Sequence, residues 1–263
     1  MNRYIAKAIV GANYWHQRIT NPKTTVYDGC DPRDFIAQKM LKTPKGKLKP
    51  YKNLFEQTNQ EPILQEESGC TAYGTTMMKR IQDSMEHGRL IPHEGAYLWE
   101  KQGRPAKGDL LTRSLQVCVD NPFCTEGRYY AMLGYAKVRS RNDGSEECIK
   151  YMKKWLARDY PIKTGFIIKS GRFVVGDKIY TTNMSAAKRT GVLFLDSGKT
   201  AGGHDDTIVG YDDEGKLFGV PGFILYTPWG KWGVHNNGLL LLPYNQVKYL
   251  MSCYISYDSI DVK

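Results

Sequence analysis

Gln65-Glu66-Glu67-Ser68-Gly69-Cys70-Thr71-Ala72-Tyr73 is an acidic, turn-like segment that ends in a thiol and runs straight into a helical pattern. Tyr73, Met77, Met78, Ile81 and Met85 recur at helical spacing, with Lys79, Arg80, Asp83 and Glu86 covering the other side. His87 and Gly88 supply a last-turn cation and a C-terminal stop. This predicts a helix from about Thr71 to Glu86 with Cys70 at its cap. A sulfur placed there lies beside N–H groups with no helical partner and at the positive end of the helix dipole, which favours thiolate over thiol.

A thiolate nucleophile needs a proton shuttle. His204 follows 134 residues later in Gly202-Gly203-His204-Asp205-Asp206-Thr207-Ile208-Val209-Gly210-Tyr211, read as a turn feeding a buried strand. If His204 and Asp206 share a strand face, the carboxylate can perturb the imidazole. Solvation of the two aspartates in the turn is the favoured reading. The other histidines, His16, His87, His93 and His235, have no helix-spaced His or Glu partner of the kind a metal pair needs. No metal or cofactor is expected.

The chain has 263 residues with 41% hydrophobic content, enough for one large domain or two lobes around a sizeable core. Its longest apolar runs fall short of the ~20 residues a membrane helix needs. The opening Met1-Asn2-Arg3-Tyr4-Ile5-Ala6-Lys7 is broken by Lys7 before it can form a signal-peptide core, so a cytoplasmic location is expected. The cysteines, Cys30, Cys70, Cys118, Cys124, Cys148 and Cys253, show no Cys-x-x-Cys spacing, and neither zinc nor disulfides are expected.

The net charge of +10 has a focus in Lys39, Lys42, Lys45, Lys47, Lys49 and Lys52, interleaved with Pro44, Gly46 and Pro50. Such a loop could touch nucleic acid or an acidic partner. With Tyr51 as its single aromatic it offers no stacking platform, and a solvated surface loop is the favoured reading.

Further helices are predicted over Pro92–Glu100, Asp109–Val119 and, as the last one, Cys148–Ala157. The texture then changes to short apolar runs bounded by Gly, Asp or Pro: Pro161–Ile168, Gly191–Leu195, Thr207–Tyr211, Gly222–Tyr226 and Gly238–Leu242. A helical part followed by a strand-rich part argues an α+β fold of two lobes, with Cys70 in one and His204 in the other. A cleft at their junction is the natural place for a site.

These landmarks together resemble the papain-type (C1-like) cysteine peptidases, and most of all a bacterial and phage branch in which Thr-Ala follows the nucleophile. Papain-type enzymes place their His and Asn roughly 130–150 residues after the Cys. Asp31-Pro32-Arg33-Asp34 is similar to the start of the mature domain, and Pro62-Ile63-Leu64-Gln65 to the run before the nucleophile. Gly203-His204 with Val209-Gly210-Tyr211-Asp212-Asp213 is similar to the histidine strand. Trp229-Gly230-Lys231-Trp232-Gly233, Asn237-Gly238 and Leu242-Pro243-Tyr244 are similar to the closing segment.

The resemblance implies a helical lobe (31–158) packed on a β-barrel-like lobe (159–263), with the active site in the groove between them and residues 1–30 as an N-terminal extension. It implies peptide-bond hydrolysis through a thiolate acyl-enzyme: Cys70 attacks, His204 shuttles the proton, and a third residue orients His204. The family has Asn there, in Asn-Ser-Trp-Gly; this chain has Thr227, in Thr227-Pro228-Trp229-Gly230. The family's oxyanion Gln stands six residues before the nucleophile, whereas Gln65 stands five before Cys70. Asn236 and Asn237 are read as turn residues. The expected partner is a protein or peptide substrate. The alternative is a weakly active or inactive papain-fold component of a larger assembly, a virion component if the chain is phage-encoded.

Overall fold

The computed structural model describes residues 47–66, 68–106, 108–138 and 143–257. The N-terminal extension, Asp31-Pro32-Arg33-Asp34, His16, Cys30 and the basic residues Lys39, Lys42 and Lys45 lie outside the described residues. Of the rest of the basic loop, Lys47 and Lys49 are exposed. Lys52 belongs instead to a strand and pairs with Asp159 at 2.5 Å.

In chain order the elements are β1 (Tyr51–Asn53), α1 (Leu54–Gln57), α2 (Cys70–His87), α3 (Gly95–Lys101), α4 (Leu111–Asp120), β2 (Phe123–Thr125), β3 (Arg128–Tyr130), β4 (Gly134–Lys137) and α5 (Glu146–Leu156). There follow β5 (Ile162–Val175), β6 (Lys178–Thr182), α6 (Asn183–Thr190), β7 (Lys199–Asp212), β8 (Gly222–Tyr226), β9 (Leu239–Pro243), a 3₁₀ turn (Tyr244–Tyr249) and β10 (Cys253–Tyr257).

One antiparallel sheet runs β4-β10-β5-β7-β8-β9, with β1 added to β7 and β6 to β5. The described ladder does not close on itself, so the barrel-like lobe is an open sheet. Two of its strands, β1 and β4, come from before residue 158.

Helix α2 is the axis of the molecule. Met77 and Ile81 enter the apolar cluster beneath the sheet, while Tyr73 and Met78 enter a second cluster with α3 and α4. Fifteen of its eighteen residues are buried, so the expected solvent-facing side is wrong: Lys79, Arg80 and Asp83 are inside. A buried charge must be paired. Lys79 Nζ meets Asp83 Oδ1 at 2.6 Å, and Asp83 Oδ2 meets His93 Nε2 at 2.6 Å. The other ring nitrogen of His93 meets Thr125 Oγ1 at 2.7 Å. Burial pushes His93 below its usual value, so a neutral ring completes this group.

Where α2 crosses β7, Gly74 is required, because a Cβ there would lie 2.5 Å from Asp205 Oδ1. The Thr207 hydroxyl donates to the Gly74 carbonyl at 2.9 Å, fixing the helix to the strand. As predicted, α2 ends at Gly88, whose φ of 63° is left-handed.

Three strand expectations change. Gly191–Leu195 is not a strand: it touches the sheet through a single parallel bridge, Val192 to Leu241. β5 and β7 are each 14 residues, much longer than their apolar runs, because both continue as a partly exposed ladder. Nor is the Cys148 helix the last. α6 follows, held by a capping box in which Thr182 and Ser185 exchange side-chain-to-backbone bonds.

Candidate active site

Cys70 is the first residue of α2, with Gly69 as the N-cap, so the thiol sits inside the first turn and is not itself the cap. The first helical hydrogen bond is Tyr73 N–H to the Gly69 carbonyl at 3.0 Å. The amide of Cys70 therefore lies ahead of the intrahelical ladder, at the positive end of an 18-residue helix. A turn closed by Gly69 N–H to the Glu66 carbonyl, at 2.9 Å, delivers the chain to this point.

His204 lies within β7, opposite Phe166 of β5, and is buried, so the expected turn at Gly202-Gly203-His204 is strand instead. Its ring is boxed by Phe166 (centroids 5.8 Å, edge-on) and Trp229 (4.4 Å, tilted by 36°). Trp232 in turn packs edge-on against Trp229 at 5.1 Å. Ring atom Nε2 is 3.1 Å from Thr227 Oγ1, and the imidazole also hydrogen-bonds the Cys70 side chain. With Nε2 directed at Thr227, Nδ1 is the ring atom left for the sulfur. The three residues singled out in sequence as nucleophile, shuttle and orienting group are thus brought together.

Thr227 follows β8 and is buried, its own N–H bound to the Gly238 carbonyl at 2.9 Å. Gln65 arrives on the segment that leads into α2. Its N–H donates to the Pro228 carbonyl at 2.6 Å, Leu64 bridges to Trp229, and Gly230 N–H donates to the Ile63 carbonyl at 2.7 Å. The Tyr226 hydroxyl adds to this strap, donating to the Glu61 carbonyl (2.6 Å) and accepting from Ile63 N–H (3.1 Å). Gln65 is therefore fixed by backbone beside the segment that carries Thr227. Asn236 and Asn237 fall in the turn before β9, Asn236 with a φ of 54°, as expected.

The aspartates after His204 are where the sequence reading is corrected. Neither is a solvated turn residue; both are buried in β7. Asp205 faces α2 and pairs with Lys163 of β5, whose ammonium also donates to the Thr71 carbonyl at 2.7 Å. Asp206 shares the His204 face, with Oδ1 3.1 Å from Nε2. Burial opposes a charged imidazole, but the Asp206 carboxylate and the Cys70 sulfur outweigh it and lift His204 to about 10. Burial likewise lifts Asp205, to about 7, with Lys163 pulling the other way.

The i, i+2 spacing of His204 and Asp206 was the available signal for this carboxylate. Lys163, 41 residues before His204, carried none.

No group of His, Cys, Asp and Glu suited to a metal occurs among the described residues. His235 is exposed near the Leu217 carbonyl, and His87 packs edge-on against Tyr130. Cys70, Cys118, Cys124, Cys148 and Cys253 are in no disulfide.

No family model matches the sequence. No characterised protein matches it by sequence search either. Solved structures do match. Xylellain, a cysteine protease from Xylella fastidiosa, superposes with a TM-score of 0.65 at 16% identity, over 92% of this chain and 97% of its own. The proform of Amb a 11, a ragweed pollen cysteine protease, gives 0.58 at 17% identity over 80% and 66% of the two chains. Procathepsin B from Trypanosoma congolense gives 0.56 at 13% identity over 98% and 99%. The chain therefore has the papain-like cysteine protease fold.

Proposed function

We propose that the protein is a cysteine peptidase that hydrolyses peptide bonds through an acyl-enzyme on Cys70. The observation that carries this is the meeting of Cys70, in the first turn of α2, with a buried imidazole whose far nitrogen is engaged by Thr227. A papain-like fold alone would not require that meeting, because folds are shared across functions.

In this reading the Cys70 thiol gives its proton to His204 and the thiolate attacks the scissile carbonyl carbon. The C=O electron pair moves onto oxygen, where the Cys70 N–H and the Gln65 side-chain amide act as donors. Collapse of the intermediate expels the amine, protonated by His204, and leaves a thioester. His204 then takes a proton from water as the water attacks the thioester, and Cys70 is released as thiolate. Trp229 covers the ring and limits water at the Thr227 contact.

The test is labelling by an epoxide peptidyl probe and by iodoacetamide, with Cys70→Ala beside the unaltered chain. Covalent capture that vanishes in Cys70→Ala, together with cleavage of an unfolded protein, is the expected result. Labelling of Cys70 no faster than that of exposed Cys124 would remove the peptidase reading and leave the structural-component alternative.

A further inference from the structure

Two adjacent carboxylates of strand β7, Asp205 and Asp206, stand back to back, and each faces a different cation. Asp205, against α2, has Lys163. Asp206 points the other way, to the side of the strand that holds Ile208 and the apolar cluster under the sheet. It is 0% exposed, and the His204 ring is its hydrogen-bonding partner. Its ionic contact is with His204, Oδ1 lying 3.1 Å from Nε2. A carboxylate buried this deeply is costly unless a cation stands against it. Lys163 is committed to Asp205 and the Thr71 carbonyl.

We propose that Asp206 is the charge-bearing third member of the Cys70–His204 site, a positioning residue that holds the imidazolium by coulombic attraction while Thr227 sets the angle of the ring. This rests on Cys70 and His204 being the nucleophile and its base. The division of labour follows from chemistry. A threonine hydroxyl can either donate or accept, so it serves neutral and charged rings alike. A carboxylate discriminates, and in a water-excluded site it does so strongly.

The pleat fixes residues i and i+2 on one face, so the separation is built into β7 and needs no loop to close. The charged and titratable groups around the ring are Cys70 from α2, Asp206 from its own strand, and Asp205 behind it with Lys163 of β5. The net balance of these favours the charged ring.

No proton moves to Asp206 in any step. The Cys70 proton passes to His204, then to the leaving amine nitrogen; the proton taken from water restores the imidazolium. The Asp206 carboxylate stabilises each state in which the ring is charged.

Two measurements on the full chain decide the matter. The first is a nuclear magnetic resonance titration of the His204 ring in the unaltered protein and in Asp206→Asn. We expect the unaltered ring to stay protonated above about pH 8, and to titrate at least about one pH unit lower in the variant. The second is the pH profile of Cys70 alkylation by iodoacetamide. Its midpoint should rise in Asp206→Asn, slowing alkylation near pH 6 about ten-fold or more per unit moved. Thr227→Val should leave the His204 titration within about half a unit of the unaltered chain, since it removes no charge.

An unaltered His204 that titrates near the ordinary value of about 6.5 overturns the proposal, and this arm needs no variant to fold. An unchanged titration in folded Asp206→Asn overturns it as well. A shifted His204 beside a Cys70 that alkylates no faster than the other thiols supports the Asp206 contact and removes the peptidase reading instead.

Discussion

At the scale of single residues, the meeting of Cys70, His204 and Thr227 was legible because sequence spacing constrains them. A thiol before a helical run and a distant Gly-His on an apolar segment have few other joint explanations. Thr227 was found from its place before Trp229, and it does meet the imidazole. Removing that hydroxyl in Thr227→Val should lower turnover roughly five-fold, about 1 kcal/mol for one hydrogen bond, while probe capture by Cys70 persists. Steady-state rates beside probe labelling check this; an equal loss of both would mean that the ring has moved altogether. Gln65→Ala should cost about 100–1,000-fold in kcat if its amide serves the oxyanion. A change confined to KM would assign Gln65 to substrate binding. Asp206 was less legible, since Asp-Asp after Gly-Gly carries the same letters whether it lies in a solvated turn or a buried strand. Only the length of β7 separates the two.

At the scale of elements, α2 shows why amphipathic patterning misleads at the centre of a domain. Lys79, Arg80 and Asp83 have the spacing of a solvated face, yet the molecule wraps that face and satisfies two of these charges with each other and with His93. Periodicity reports which residues are polar, not whether a partner 10 residues away is waiting for them. The crossing of α2 over β7 depends on Gly74, so Gly74→Ala should destabilise by about 1–3 kcal/mol, because Asp205 is held by Lys163 and cannot yield freely. Chemical denaturation measures this, and a neutral result would mean that the crossing is looser than described. α6 escaped detection because its start signal is Thr182-Asn183-Met184-Ser185, a capping box without the usual Glu or Gln. Thr182→Ala should cost about 0.5–2 kcal/mol by the same measurement.

At the scale of the whole molecule, two buried histidines bend stability in opposite directions. His204, raised to about 10, stabilises the fold fully below the unfolded value of about 6.5, and that contribution fades as pH climbs toward 10. His93, pushed down by burial, contributes above about 6.5 and is lost as pH falls below it. Melting temperature should therefore peak near neutrality, and His204→Gln should flatten the alkaline side alone. A profile still falling between about pH 7 and 9 in that variant would assign the slope to other groups. The combination of helices with an antiparallel sheet was legible from the change in texture along the chain. The interleaving was not, because β1 and β4 are three and four residues long and their pairing partners lie more than 100 residues away. The strap between Ile63–Gln65 and Pro228–Gly230 has a consequence for how the site can be watched. The amide protons of Gln65 and Gly230 each end on a carbonyl of the opposite segment, so they are shielded by one shared event and released by its reversal. Their deuterium uptake should rise and fall in step, giving a readout of the strap's opening that needs neither a substrate nor a working thiol.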